Sequence, residues 1–119
     1  MVEFAIVVPF LALLVFTIIQ LGIMFNNYLT LTDAVRAGAR QAAVGRSVPD
    51  PVGSAVNRVR TAAGTLDQAD LAVTVTPGTT PWPQGSDVTV EATYPYELNL
   101  LGFVVTSGTL TSRMTERVE

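Results

Sequence analysis

The sequence contains no cysteine, no histidine and no lysine. Without cysteine there are no disulfide bonds, thiolate metal sites or cysteine nucleophiles. Without histidine the chain also lacks the most common general base and a common zinc ligand. A serine nucleophile needs an activating base, and neither histidine nor lysine is present to supply one. We therefore expect a protein that is not an enzyme and that binds no metal or cofactor.

Charge is scarce as well. Charged residues make up 14% of the 119 residues, and seven arginines against ten acidic residues give a net charge of −3. The isoelectric point is near 4.7, whereas a nucleic-acid-binding protein needs a basic surface to contact phosphates. We therefore expect no nucleic-acid partner. The length leaves room for one domain, and a hydrophobic content of 49% is too high for a disordered chain.

Hydrophobic residues are concentrated in residues 4–25, where only Thr17 and Gln20 are polar. As a helix rising 1.5 Å per residue, this run would be about 33 Å long, enough to cross a bilayer core of about 30 Å. Glu3 lies at the edge of the run. Pro9 lies inside it and cannot donate a backbone hydrogen bond, so we expect it to bend or loosen the helix. Gly22 is the second flexible position.

The helix is predicted to continue beyond the apolar run. One face carries apolar residues at spacings of three and four: Tyr28, Leu31, Val35, Gly38 and Ala42. Gly45 is a plausible end of the helix. The sequence therefore predicts one helix over about residues 2–44, about 65 Å long, which is twice a membrane thickness and more than a simple anchor needs.

Residues 46–119 are predicted to form a small head of α+β class, with residues 1–45 as the long helix. Asp50 and Pro51 are typical first residues of a helix, which would end near Gly64. Residues 71–76, 87–94 and 109–118 alternate as β-strands do, which predicts a roughly three-stranded antiparallel sheet. A head this small is marginal alone, so we expect it to take part of its core from residues 28–44.

Three features of the head are harder to interpret. Residues 97–108 fit either a short helical turn or a hydrophobic loop, and Pro95 argues against a central strand continuing past it. The last strand carries polar residues on both faces, which favours a place at the sheet edge. Trp82 lies in a turn-rich segment between Pro81 and Pro83, and it fits either an exposed contact loop or a cover over the core.

Three stretches of the chain resemble a known family. They are residues 2–11 (VEFAIVVPFL), residues 33–43 (DAVRAGARQAA) and residues 110–116 (LTSRMTE). Together they are similar to the TadE-like proteins, which are pilins or pseudopilins of the tight-adherence (Tad) branch of type IV pili. The resemblance extends over nearly the whole chain, and its most specific part is the opening joined to the Ala/Arg-rich helix. It implies a type IV pilin-like fold.

The resemblance also implies a route to the cell surface. A prepilin would carry a short basic leader, be inserted in the inner membrane and be cut there by a prepilin peptidase. Glu3 matches the family's glutamate, which registers each subunit during assembly. The family usually places this residue fifth in the mature chain and here it is third. Either two further residues precede Met1 in the mature protein or the peptidase cleaves elsewhere.

The expected function is that of a structural subunit that polymerises into an extracellular Tad-type pilus for surface attachment. Copies of the long helix would bundle in the filament core, with Pro9 and Gly22 as points of bending, and the assembly machinery would be a further partner. The residues expected to pack between helices are Phe4, Phe10, Leu14, Ile18, Phe25, Tyr28 and Gly38.

Two alternatives remain open from the sequence. One is a minor pseudopilin that primes or tips a filament built from another pilin. The other is a single-pass membrane-anchored protein whose head binds a periplasmic partner. Self-assembly into long filaments separates the structural subunit from both.

Overall fold

A computed structural model describes residues 1–45, 47–78, 82–100 and 103–119, without the side chains of Leu100 and Val105. The molecule is elongated, with principal extents of 71 × 20 × 19 Å. The elements follow one another in the order α1 (Val2–Val44), α2 (Pro51–Ala62), β1 (Ala72–Thr76), β2 (Asp87–Leu100) and β3 (Phe103–Arg117).

Helix α1 confirms the single long helix predicted from the sequence. It runs through the apolar segment without interruption, and the hydroxyl of Thr17 donates a hydrogen bond of 2.8 Å to the Leu13 carbonyl one turn earlier. A polar group satisfied within its own helix is compatible with an apolar surrounding. The helix ends where the Gly45 N–H donates to the Ala42 carbonyl at 3.3 Å.

Helix α2 begins as its sequence predicts. The N–H of Gly53 donates to the Asp50 carboxylate at 3.1 Å, and Pro51 occupies the first position, where a missing N–H costs no hydrogen bond. The helix ends with Ala63 as its C-terminal cap, one residue before the predicted stop at Gly64.

The three strands form one antiparallel sheet in the order β1-β2-β3, which confirms the predicted α+β class. Val90 of β2 lies opposite both Val75 of β1 and Met114 of β3. Strand β3 is at an edge, as its polar residues indicated. On the outward face of the sheet, Arg113 pairs with Glu91, and such exposed cross-strand ion pairs contribute little to stability.

The hairpin of β2 and β3 is longer than the sequence indicated. The interpretation of residues 97–108 as a helical turn or loop was wrong for residues 97–100 and 103–108, because they belong to the strands and Leu98 pairs with Thr106. Residues 101 and 102 lie outside the described residues. Strand β2 also passes through Pro95, which lies opposite Thr109. The physical reason is that the pairing with β1 stops at Thr93, which lies opposite Ala72, the first residue of β1. Beyond that point β2 has a neighbour on one side only, where a residue without an N–H is tolerated.

The core lies between one face of the sheet and the two helices. Helix α1 buries residues only in its C-terminal part: Leu31, Ala34, Val35, Gly38, Ala39, Ala42 and Ala43. From the other side, Val88, Val90 and Ala92 of β2 are fully buried, as their alternation predicted. This confirms that the head takes part of its core from α1.

Two hydrogen bonds fix β3 along α1. The Glu119 N–H donates to the Ala43 carbonyl at 3.0 Å, and the Ser112 hydroxyl donates to the Thr32 hydroxyl at 3.3 Å. Strand and helix therefore run side by side in the same direction, and the start of β3 points toward the N-terminal half of α1.

Candidate functional site

The most unusual surface of the molecule is the N-terminal half of α1. Its large apolar side chains are exposed, for example Phe4 at 73% and Phe25 at 63%. The most apolar window of 18 residues in α1 has a mean hydropathy of 2.7, and none of it is buried. Helix α1 is thus long and apolar enough to cross a membrane, and an exposed apolar surface of this size indicates a membrane or a protein partner.

Glu3 lies in the first turn of α1 and is exposed. A carboxylate at this end of a helix is favoured by the partial positive charge of the unpaired N–H groups. The charge is therefore accessible to a partner outside the subunit. Its role in registering neighbouring subunits stays a prediction.

Pro9 and Gly22 both lie inside the continuous helix. A Cβ atom placed on Gly22 would meet no atom within 4 Å, so packing within the subunit does not require a glycine there. Pro9 leaves the Ala5 carbonyl without its usual donor. The bending that the sequence predicted at these two positions in a filament stays a prediction.

The residues predicted to pack between helices fall into two groups. All but one project from the helix with more than a third of their surface exposed, and they are free to contact other subunits: Phe4, Phe10, Leu14, Ile18, Phe25 and Tyr28. Gly38 is different, because it is buried against α2. A Cβ atom there would overlap Val59 Cγ2 and lie 3.3 Å from the Ala55 carbonyl oxygen. Its packing partner is the second helix of the same subunit.

Trp82 is buried, with 1% of its surface exposed, and its indole N–H donates to the Pro77 carbonyl at 3.0 Å. The interpretation of Trp82 as an exposed contact residue was wrong. The alternative interpretation, that Trp82 covers the core, agrees with the structure, since Trp82 belongs to the core cluster that also contains Val88 and Val118. A buried indole needs both an apolar pocket and a partner for its N–H, and the fold supplies both.

Sequence reasoning missed two features of the surface. Within residues 1–29 of α1, four residues are partly covered, and they share one face: Thr17, Gln20, Met24 and Asn27. Their spacing of three and four residues continues to the buried Leu31, and this pattern could have identified the covered face from the sequence. The second feature is the start of β3, where Phe103 and Val104 are exposed. Because residues 97–108 were interpreted as a turn or loop, this exposed apolar pair at the start of β3 was not predicted.

Residues 1–40 match the model of the TadE-like protein family. The match covers the exposed apolar part of α1 and most of the segment that packs on the sheet, and it ends before α2. No curated protein and no solved structure matches the chain.

The TadE-like match confirms the resemblance in residues 2–11 and in residues 33–40 of the second stretch, whereas residues 110–116 lie outside the match. The match covers about a third of the chain and is consistent with a Tad pilus-associated protein. The apolar helix fits membrane anchoring. The match includes no residue of α2 or of the three strands.

Proposed function

We propose that this protein is a structural pilin subunit that polymerises through α1 into a type IV-like, Tad-type extracellular pilus, with no catalytic activity. The observation that carries the proposal is that α1 has a C-terminal part packed in the head and an N-terminal part that is exposed. One face of its C-terminal part is buried in the head from Leu31 onward, whereas its N-terminal part exposes large apolar side chains over most of its circumference. Lipid covers this surface while the subunit is anchored, and contacts with other copies of α1 cover it after polymerisation.

The hydrophobic effect explains why such a helix polymerises outside the membrane. In the bilayer, lipid covers the apolar side chains of residues 4–25. Once the subunit leaves the bilayer, these side chains are protected from water only by other copies of the same helix. Because the contact is between different parts of identical subunits, it repeats without closing and generates an open helical filament.

The head supports this arrangement by its shape. Its core packs against one face of the C-terminal part of α1, and the molecule is about 20 Å wide over a length of 71 Å. Subunits of this shape can stack with their helices inside and their sheets outside. The exposed outer face of the sheet, with Arg113, Glu91 and the hydrogen-bonded Thr89 and Thr115, then forms the pilus surface that attaches to other surfaces.

Glu3 and Pro9 have roles in this proposal at the start of the helix. A carboxylate moved into an apolar bundle needs a positive partner, and the α-amino group of a neighbouring subunit supplies it. Pairing of these two charges fixes the axial position of each new subunit. Pro9, which breaks the hydrogen-bond ladder, lets the first turns adjust to their neighbours.

The proposed pathway follows from the family and the helix. The precursor is inserted in the inner membrane, a prepilin peptidase removes its leader, and the assembly machinery moves the subunit into the growing pilus. The precursor is thus a membrane protein and the final product is extracellular.

Electron microscopy of sheared cell-surface material, with intact-mass spectrometry of the same sample, tests the proposal. We expect filaments composed mainly of this chain, and the intact mass identifies the mature N-terminus. Trace amounts of the chain in filaments of another pilin would instead indicate a minor pseudopilin. Its absence from filaments, with recovery only in the inner membrane, would indicate an anchored monomer and contradict the proposal.

A further inference from the structure

The first two residues of β3, Phe103 and Val104, form an apolar surface at the far end of the head, here called the tip of the β2–β3 hairpin. Phe103 is 77% exposed and Val104 is 53% exposed. The sequence from residue 98 to residue 112 carries no charged side chain, so the tip has no charge that would hold it in water. Exposed phenyl and isopropyl groups at the end of a hairpin indicate a contact beyond the subunit.

The tip lies beside the apolar part of α1. Between the two contacts at Ala43 and Thr32, helix α1 advances about 16 Å at 1.5 Å per residue. The accompanying chain, residues 112–119, covers about 23 Å at 3.3 Å per residue, so β3 is inclined to the helix. Continued at the same inclination, β3 places Val104 about 19 Å further along, close to the level of Gln20.

The surface of α1 supports this position independently. Thr17, Gln20, Met24 and Asn27 are partly covered, whereas the other residues among the first 29 are exposed. These four share the face that continues into the buried Leu31, and therefore lie on the side of the hairpin. A width of about 20 Å also keeps the tip close to the helix.

The expected boundary of the membrane lies near the level of the tip along α1. The apolar run ends at Phe25, and Tyr28, which is 41% exposed, is of the residue type that favours the membrane–water interface. A tip near the level of Gln20 is therefore about 8 Å inside that boundary. While lipid surrounds the helix, the tip is positioned to meet lipid too.

We propose that the tip of the β2–β3 hairpin, with Phe103 and Val104, inserts into the interfacial region of the leaflet nearest the head while the subunit is membrane-anchored. This inference rests on the anchored precursor stage of the proposed function. The insertion is shallow, because the outer edges of a hairpin leave backbone groups that need water as a partner. Helix and tip together hold the head at a fixed orientation on the membrane, and assembly must release both.

Lipid-dependent quenching of a fluorophore tests this proposal. The chain has no cysteine, so Val104→Cys, Phe16→Cys and Ser47→Cys each give one site for an NBD label on the full chain. The labelled variants are placed as single copies in phosphatidylcholine nanodiscs, with and without doxyl-labelled lipid. We expect quenching at position 104 and at position 16 in the spanning helix, and none at position 47 at the opposite end of the head.

A charge at the tip provides the matched comparison. Phe103→Asp in the Val104→Cys background replaces the phenyl group that would insert into lipid by a charged group, and should lower the ratio of inserted to withdrawn tip by about tenfold or more. Thr111→Asp adds the same charge at an exposed position further up β3 and should leave the quenching unchanged. Equal effects of the two substitutions would overturn the proposal.

The remaining outcomes separate this inference from the proposed function. Quenching at position 16 without quenching at position 104 overturns the inserted tip and leaves the pilin proposal intact. No quenching at either position means that the helix does not enter the bilayer, and both proposals fail. A label at position 104 that is shielded only when several copies share a disc, without lipid quenching, indicates docking on a second copy and overturns lipid insertion.

Discussion

Glu3 is the residue on which the assembly proposal makes its sharpest prediction. Glu3→Ala removes the carboxylate that pairs with a neighbouring α-amino group, while the apolar run that inserts in the membrane is unchanged. We expect normal recovery of the variant in the inner membrane and a severe loss of filaments in the sheared fraction. The measurement is the amount of the chain in each fraction.

The control for Glu3 is Asp70→Ala, which removes an exposed carboxylate from the head and should leave filament yield unchanged. Wild-type filament yield from Glu3→Ala would remove the registration role. Loss of the Glu3→Ala variant from the membrane fraction would place the residue in insertion rather than assembly.

Gly38 and Gly22 give a matched pair in the same helix. In Gly38→Ala the new methyl group overlaps Val59 and approaches the Ala55 carbonyl, and overpacking of this kind lowers the free energy of unfolding by about 1–3 kcal/mol. In Gly22→Ala the methyl group meets open space, so the head should be as stable as the wild type. Denaturant titration of the full chain in detergent, followed by Trp82 fluorescence, measures both. Equal stability of the two variants would contradict the α1–α2 contact.

At the scale of the element, the start of α2 depends on one side chain. Asp50→Ala removes the acceptor for the Gly53 N–H and should lower the free energy of unfolding by about 1 kcal/mol. Asp50→Asn keeps a capping oxygen and should retain most of the stability. The same fluorescence titration compares the two. An Asn variant as unstable as the Ala variant would show that the cap is not the source of the effect.

The elements that could be predicted from the sequence are those fixed by local patterns. The apolar run and its continuing stripe predicted α1 to within a residue at each end, and Asp50-Pro51 predicted the start of α2. The alternation of Val88, Val90 and Ala92 identified the buried face of β2. Each of these signals lies within a few neighbouring residues, and tertiary packing agrees with it.

The rest depended on contacts between distant residues. The extension of β2 past Pro95 is possible because its pairing with β1 stops at Thr93, which lies opposite Ala72, and local sequence does not reveal where that pairing stops. The burial of Trp82 depends on a core cluster that also contains residues distant in sequence, such as Leu31 and Val118. The same holds for the candidate site. The exposed apolar part of α1 could be predicted from local sequence, whereas the apolar tip at Phe103 was missed because it depends on the pairing of β2 with β3.

At the scale of the whole molecule, the fold separates the part that stays folded from the part that assembles. Residues buried in α1 begin at Leu31, so a chain of residues 26–119 keeps every core residue and loses the apolar run. We expect this fragment to be soluble, monomeric and folded in analytical ultracentrifugation and circular dichroism, and unable to form filaments. Residues 1–45 alone should enter membranes and be insoluble in water.

An aggregated or unfolded 26–119 fragment would show that the head needs the apolar segment for its own stability. A soluble, monomeric fragment of residues 1–45 would contradict the view that its apolar surface requires lipid or other copies. Both results are read from sedimentation of the purified fragments, with the full chain in detergent as the reference.

The central claim is that the N-terminal half of α1 forms the core of a filament, and helical reconstruction of purified pili by electron cryomicroscopy tests it most directly. The account predicts a bundle of α1 helices along the axis, with Glu3 next to the first residue of a neighbouring subunit and the three-stranded sheets on the outside. A filament whose core is made by the sheets, or one in which density for this chain is absent, would contradict it.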